Sequence, residues 1–224
     1  MTAATFWLQP IGDSATEARL DAEHFDPAHE ALEDAITSRG DARRLGALVS
    51  HCQRGQQPEY VQGGEVLVVN SEHVGEHFID TDGAERTSRD FWERKPRAHA
   101  VKFDILMNST GVGTIGRVNC VLHDGPTVVD GHVTVIRAET SVVDPVYLAV
   151  FLNSPLGRQQ AYKWQSGSSG QLEIYPSDIR RFWVAVPERG TQRAVRERFE
   201  RAYAAYRRAA REAAAAEAGV VDLI

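Results

Sequence analysis

The sequence predicts an α+β fold: a mixed β-sheet domain with flanking helices, followed by a long C-terminal coiled-coil helix. Three observations predict it. Between Leu45 and Arg137, short β-rich runs (LGALV, EVLVVN, HFID, KFDILMN, RVNCVL and HVTVIR) alternate with clusters of Gly, Pro, Asp and Asn. On either side of that stretch, Asp26-Pro27, Asp144-Pro145 and Ser154-Pro155 have the chemistry of helix starts, a capping side chain followed by a residue with preset φ. From Thr191 to Ala218 there is neither Gly nor Pro, and Val195, Phe199, Ala202, Tyr206, Ala209, Ala213 and Ala216 recur at alternating spacings of four and three.

The first helix starts at Asp26-Pro27, carries Leu32, Ala35, Ile36 and Arg39 at helical spacing, and meets Gly40 where a C-cap belongs. Sheet then continues to Arg137. Tyr147, Leu148, Phe151 and Leu152 carry a second helix, and Arg158, Gln159, Gln160 and Trp164 a third, ahead of the polar loop QSGSSGQ. Ser177 is expected to cap a short turn through Ile179 and Arg180, and FWVAVP reads as a last strand stopped by Pro187. The final helix is expected to end at Gly219. From Thr191 to Ala218 it would form a rod of roughly 42 Å, too long to fold back fully onto one small domain, so it wants a partner helix. Its alanine-rich seam buries little area, and at about 25 cal/mol per Å² dimerisation through this helix alone should be weak. The alternative is a solvated helix held by alanine propensity and Arg/Glu pairs. These elements divide the chain into residues 1–187 and 188–224.

Composition narrows the function classes. Hydrophobic residues make up 42% and charged residues 25%, ordinary values for a globular protein, and the longest apolar run, VYLAVFL from Val146, cannot span a bilayer. The start MTAATFWLQPIGD lacks a secretory pattern, and two cysteines, Cys52 and Cys120, make neither a disulfide framework nor a four-cysteine zinc site. A cytoplasmic protein is expected. The net charge of −6 argues against simple nucleic-acid binding through bulk phosphate attraction. From Glu188 to Ala218, however, eight Arg face five Glu, so the acidity lies in the rest of the chain.

Three motifs suggest chemistry and fail on context. Gly111, Gly113 and Gly116 spell G-x-G-x-x-G, but the β-rich RVNCVL follows them where a dinucleotide site needs a helix N-terminus, so the glycines are expected to join two strands. His73, Glu76 and His77 spell H-x-x-E-H, a zinc signature that needs a helix, in a segment squeezed between strand patterns and containing Gly75. Asp82, Glu93 and Lys95 match the loose spacing of metal-dependent nucleases in a stretch dense with both charges, where the match comes cheaply. No nucleophile elbow, P-loop or methyltransferase tetrapeptide occurs, and neither cofactor nor metal is expected.

In order along the chain, RLDAEHFDP (19–27), GALVSHCQRGQQPEY (46–60), FDILMNSTGVGTIGRV (103–118), GHVTVIRA (131–138), YLAVFLNSPLGRQQ (147–160) and SGSSGQLEIYPSDIRRFWVAVP (166–187) resemble successive landmarks of the specificity subunits of type I restriction-modification systems. The resemblance covers nearly the whole chain. It implies a non-catalytic α/β target recognition domain that reads a short DNA half-site, and helices that dock DNA adenine methyltransferase subunits and, through the complex, the restriction subunit. Such subunits usually carry two recognition domains and two helices. This chain carries one of each, so it resembles a half-subunit that pairs with a second copy, or with another half, and reads a palindromic bipartite site.

DNA contacts are expected where Arg and Gln, which can meet guanine and adenine bidentately, sit in loops beside small hydroxyls. One group is Arg158, Gln159, Gln160, Lys163, Ser166, Ser168, Ser169, Gln171 and Arg180. A second is Gln53, Arg54, Gln56 and Gln57 in a loop bounded by Gly and Pro, with Thr110, Thr114 and Arg117 ranked lower. Val195, Phe199, Ala202, Tyr206, Ala209 and Ala213 form the expected partner seam. For each loop residue the plain alternative is an ordinary polar surface.

Overall fold

A computed structural model describes residues 19, 21–167 and 170–221. Its helices are α1 (Pro27–Thr37), α2 (Arg89–Arg94), α3 (Pro145–Asn153), α4 (Pro155–Trp164), α5 (Pro176–Ile179) and α6 (Arg189–Val221). Its strands are β1 (Ala42–Arg44), β2 (Val49–Arg54), β3 (Val66–Val69), β4 (Arg86–Thr87), β5 (His99–Ala100), β6 (Ile105–Asn108), β7 (Val118–Cys120), β8 (Thr127–Val129), β9 (Val133–Ala138) and β10 (Trp183–Ala185). Both classes of element are present, and the β3–β8 pair is parallel in an otherwise antiparallel sheet, so the fold is α+β with mixed β-structure.

Alternation along the strands builds the layers. In the central sheet, ordered β2-β9-β6-β7, Ile105 and Met107 face one side with Cys52, Val118, Cys120 and Ile136, where α3 and α4 cover them. Leu106, Val133 and Val135 face the other side and meet Val69 and Val129 of a second sheet, ordered β4-β3-β8-β5. Val66, Val68 and Val128 point out of that second sheet onto Phe91 and Ala98. The period of two explains why a single strand feeds two cores. A third, two-stranded sheet pairs β1 with β10, placing Ala42 opposite Ala185 beside α1.

Local chemistry sets the helix starts. Asp26 accepts a hydrogen bond from the Ala28 amide, and Asp144 accepts from Val146 and Tyr147, as capping requires. Several details differ from the sequence expectation, among them LGALV, whose first three residues, Leu45–Ala47, form a 3-10 turn ahead of β2. The Ser154 hydroxyl donates back to the Phe151 carbonyl and does not cap α4. Tyr175, not Ser177, is the N-cap of α5, because Pro176 takes the first helical position. HFID forms only the bridge Val74–Ile79, and RDFWER folds as α2, its Ser88 hydroxyl accepting from the Phe91 amide. The last helix begins at Arg189 and passes through Gly219 to Val221; an exposed Gly costs about 1 kcal/mol in a helix and does not by itself end one.

Two histidines are built into the core. His24 is 2% exposed, stacked edge-on against Trp164 and hydrogen-bonded to the Lys163 carbonyl, and His29 is 4% exposed. Burial lowers the pKa of both below the ordinary 6.5. A histidine held down in the folded state contributes its stability above 6.5 and loses it as pH falls, because the unfolded chain takes up the proton first. The urea midpoint is therefore expected to drop between about pH 7.5 and about pH 5.5, and replacing His24 with Gln should flatten that drop. An unchanged pH profile in the variant would contradict this assignment.

Candidate nucleic-acid interface

Antiparallel pairing gathers the loops. β2 ends at Arg54 opposite Thr134, β6 ends at Asn108 opposite Val133 where β9 begins, and β7 begins at Val118 opposite Met107, so the loop after β2, the turn between β6 and β7 and the turn before β9 meet at the same end of the central sheet. A hairpin of the chain after α4 is laid across them. Ser166 bridges Glu173, Glu173 bridges Thr110, and the Ile174 amide donates to the Ser109 carbonyl at 2.9 Å. The loop after β2 is held by the Gly55 amide on the Val133 carbonyl and the Gln56 amide on the Val129 carbonyl.

The glycine segment is the turn between β6 and β7. Gly111, Gly113 and Gly116 all have positive φ, 99°, 82° and 79°, a conformation that side-chain-bearing residues rarely adopt. Strand follows where a dinucleotide site would have its helix. Between the first two glycines stands Val112, 65% exposed at this end of the sheet.

Of the residues expected to touch DNA, the structure brings eight together here: Gln53, Arg54, Gln56, Gln57, Thr110, Thr114, Ser166 and Gln171. Gln53, Gln57 and Gln171 are exposed. Arg54 has a binding job inside the protein: its guanidinium donates to the Ile174 carbonyl at 3.1 Å, lies 3.6 Å from the Glu173 carboxylate, and sits over the Tyr175 ring at 5.2 Å. It ties hairpin to sheet. Thr110 bonds His132 Nδ1 at 2.7 Å, and the His132 amide donates to Asp130, whose carboxyl burial pushes its pKa up. Sequence reasoning missed His132, Tyr175 and Val112, because a lone His, Tyr or Val in a turn carries no spacing signal.

The others lie elsewhere or, like Arg117 at the foot of the glycine turn, give their side chain to another partner. Gln160 is 1% exposed, with its amide donating to the Leu156 and Trp183 carbonyls and accepting from the Trp183 amide, so it is a core bracket and not a surface contact. Lys163 is committed to Glu33 at 2.7 Å, tying α4 to α1. Arg158 and Arg117 converge on Glu76, at 2.8 and 3.3 Å, and the Arg158 hydrogen bond holds that carboxyl below the usual carboxylate range. Arg180 caps α5 beside β2, its carbonyl accepting from the Gly46 amide. Gln159 is exposed on α4. Ser168 and Ser169 lie outside the described residues.

The His73–His77 segment folds as turns, with His73 Nδ1 accepting from the Asn70 amide. Asp82 lies 3.5 Å from Arg207 of α6, and Glu93 lies 3.7 Å from Arg89 within α2, so each carboxylate of the nuclease-like trio already has an arginine.

The long helix divides in two. Its first turns belong to the globule: Gln192 is 2% exposed and accepts from the Asp144 amide, Arg196 pairs with Asp144, and Val195 and Phe199 pack on the main core. Phe78 then meets Phe199 and Tyr203 with tilted rings and stacks on Tyr206, and Ala202 lines an apolar cavity of about 490 Å³ between α3 and α6. Much of the seam expected to await a partner helix is therefore already in use within the chain. Beyond Arg207 all residues to Val220 are exposed except the half-buried Ala210, and these include Ala209 and Ala213. No described helix is long and apolar enough to cross a membrane.

No protein-family model and no curated protein matches the sequence. Solved structures do. The chain is similar to one in a structure of the type I restriction-modification system, with a TM-score of 0.52 at 16% identity over 92% of this chain and 52% of that one. It is similar to the type IIG restriction endonuclease BpuSI, with a TM-score of 0.53 at 7% identity over 86% of this chain and 30% of that one. An HsdS subunit from Thermoanaerobacter tengcongensis aligns at a TM-score of 0.49 and 15% identity over 89% of this chain and 50% of its own. The chain thus spans about half the length of the type I proteins and less than a third of the endonuclease. At these identities the likeness is one of architecture, and the architecture is shared with proteins of restriction-modification systems.

Proposed function

We propose that this chain is a non-catalytic, sequence-specific DNA recognition subunit that acts in the cytoplasm and directs a type I restriction-modification methyltransferase, and with it the restriction subunit, to a DNA half-site. The observation that carries the reading is the convergence of Gln53, Gln56, Gln57, Thr110, His132 and Gln171 at one end of the central sheet. These amides, hydroxyls and imidazole can donate to or accept from base edges in a groove, and the strands hold their loops in fixed relation. The six ordered sequence landmarks and the shared fold support the same conclusion. Residues 1–187 are the recognition part in this reading, and 188–224 the docking part, whose exposed distal turns meet adenine methyltransferase subunits and a second copy in an antiparallel homodimer.

Selection of duplexes from a random pool by the full chain tests it. A single short motif should emerge, and Gln56→Ala with Gln57→Ala should relax one or two of its positions, each good bidentate pair being worth about 1–3 kcal/mol of discrimination. A pool that stays random would contradict the proposal. Plasmid incubated with the chain and Mg²⁺ should remain uncut; cleavage lost in Asp82→Asn or Glu93→Gln would favour the endonuclease reading that the likeness to BpuSI keeps open.

A further inference from the structure

We propose that the turn from Lys95 to Ala98 is a backbone clamp that grips DNA phosphates beside the loops described above. The inference rests on the DNA-recognition reading and goes beyond it, because none of the loops brought together at the sheet end contains these residues.

Charge draws attention first. From Arg86 to Lys102 six cations face two carboxylates, Asp90 and Glu93, in a chain whose net charge is −6. Most of those cations are spoken for. Arg89 pairs with Glu93, Arg94 with Asp90 at 2.6 Å and Lys102 with Asp124 at 3.0 Å, and Arg86 donates to the Glu65 carbonyl. No carboxylate of the described residues pairs with Lys95 or Arg97. Arg97 is exposed and Lys95 half-exposed.

β5 runs antiparallel to β8 with His99 opposite Val128, so the turn that precedes His99 emerges beside Val129 and Asp130. The Gln56 amide bonds that same Val129, and the 3-10 turn Pro96–Ala98 packs against β2, the strand that ends in Arg54. These two cations, without an ion pair among the described residues, therefore stand next to the end of β2 and the loop that leaves it at Gly55, Gln53 and Arg54 being strand residues and not part of a loop, while Arg86, on β4, stands at the other edge of their sheet.

The turn is also rigid. Lys95 donates its amide to the Phe91 and Trp92 carbonyls, Ala98 donates to the Lys95 carbonyl and is fully buried, and Pro96 fixes φ between them. His99 stacks flat on Trp92, ring centroids 3.5 Å apart, with Nε2 at 2.6 Å from the Trp92 carbonyl. Two long cations are thus presented from a backbone clamped on both sides. Such an arrangement suits phosphates, which position a duplex without reporting its sequence.

Titration of the full chain into labelled duplexes of about 25 base pairs and several unrelated sequences, between about 20 and 200 mM KCl, tests the clamp. Each lost phosphate contact should reduce the slope of log K against log salt by about 0.9. Lys95→Ala with Arg97→Ala is expected to flatten the slope by about 1.8 and to weaken binding by about the same factor on every sequence at low salt. Arg89→Ala, which removes a cation already paired on α2, should leave the slope within about 0.3 of the original. An unchanged slope in the double variant, or an equal change in Arg89→Ala, overturns the clamp while leaving the recognition loops in place. If the unmodified chain binds no duplex at the lowest salt, the recognition reading falls and the clamp with it. An unchanged thermal midpoint in the double variant shows that any loss comes from binding.

Discussion

Gly55→Ala is expected to cost about 2–3 kcal/mol of stability, at the upper end of what over-packing costs, and to abolish selective DNA binding by what remains folded. A methyl group at this position would lie 2.2 Å from the Val129 carbonyl oxygen and 2.4 Å from that of Asp130. Both are backbone atoms, so no side chain can swing aside. Relief requires the whole loop to lift, which breaks the bonds from the Gly55 and Gln56 amides and withdraws Gln56 and Gln57 from the sheet end. Urea denaturation gives the stability loss, and binding assayed below the unfolding transition separates it from the loss of recognition. Wild-type stability and selectivity together would show that this close approach does not position the loop.

Phe78→Ala should cost about 2–3 kcal/mol, somewhat below the loss typical of a fully buried Phe because this ring is half-exposed. Its main effect falls on α6. Phe78 meets Phe199 and Tyr203 at 5.4 Å and Tyr206 at 5.0 Å, and Asp80 and Asp82 on the same loop reach the Tyr206 hydroxyl and Arg207. With the ring removed, the helix keeps its roots at Gln192 and Arg196 but loses the contact that sets its direction over the next two turns. Limited proteolysis should then cut near the arginines from Arg198 to Arg207 much faster than in the parent chain, and an unaltered cutting rate would show that the wedge is dispensable.

These two sites also mark where sequence reasoning succeeds and where it stops. Helix starts were legible because Asp26 and Asp144 act on amides two or three residues away, and the central strands because Ile105, Leu106 and Met107 alternate between two apolar neighbours. The glycine turn was legible because strand flanks it on both sides. What could not be seen was long-range. Nothing near Gln160 announces Trp183, nor does anything near Lys163 announce Glu33, yet those partners remove both from the surface. α6 shows the same gap: the spacing of Val195, Phe199, Ala202 and Tyr206 signals an apolar face correctly, but not that Phe78, more than a hundred residues earlier, already covers part of it. The clamp residues Lys95 and Arg97 were hidden by abundance, since only the ion pairs of their neighbours distinguish them.

Amide hydrogen exchange of the full chain, with and without the duplex it selects, tests most directly whether the loop end of the central sheet is the DNA-reading surface. The expected result is slowed exchange at residues 54–57, 109–114, 130–132 and 170–175, with no change in the exposed turns of α6 beyond Arg207. Slowed exchange confined to α6, or to the α1 and β1–β10 side of the molecule, would contradict it.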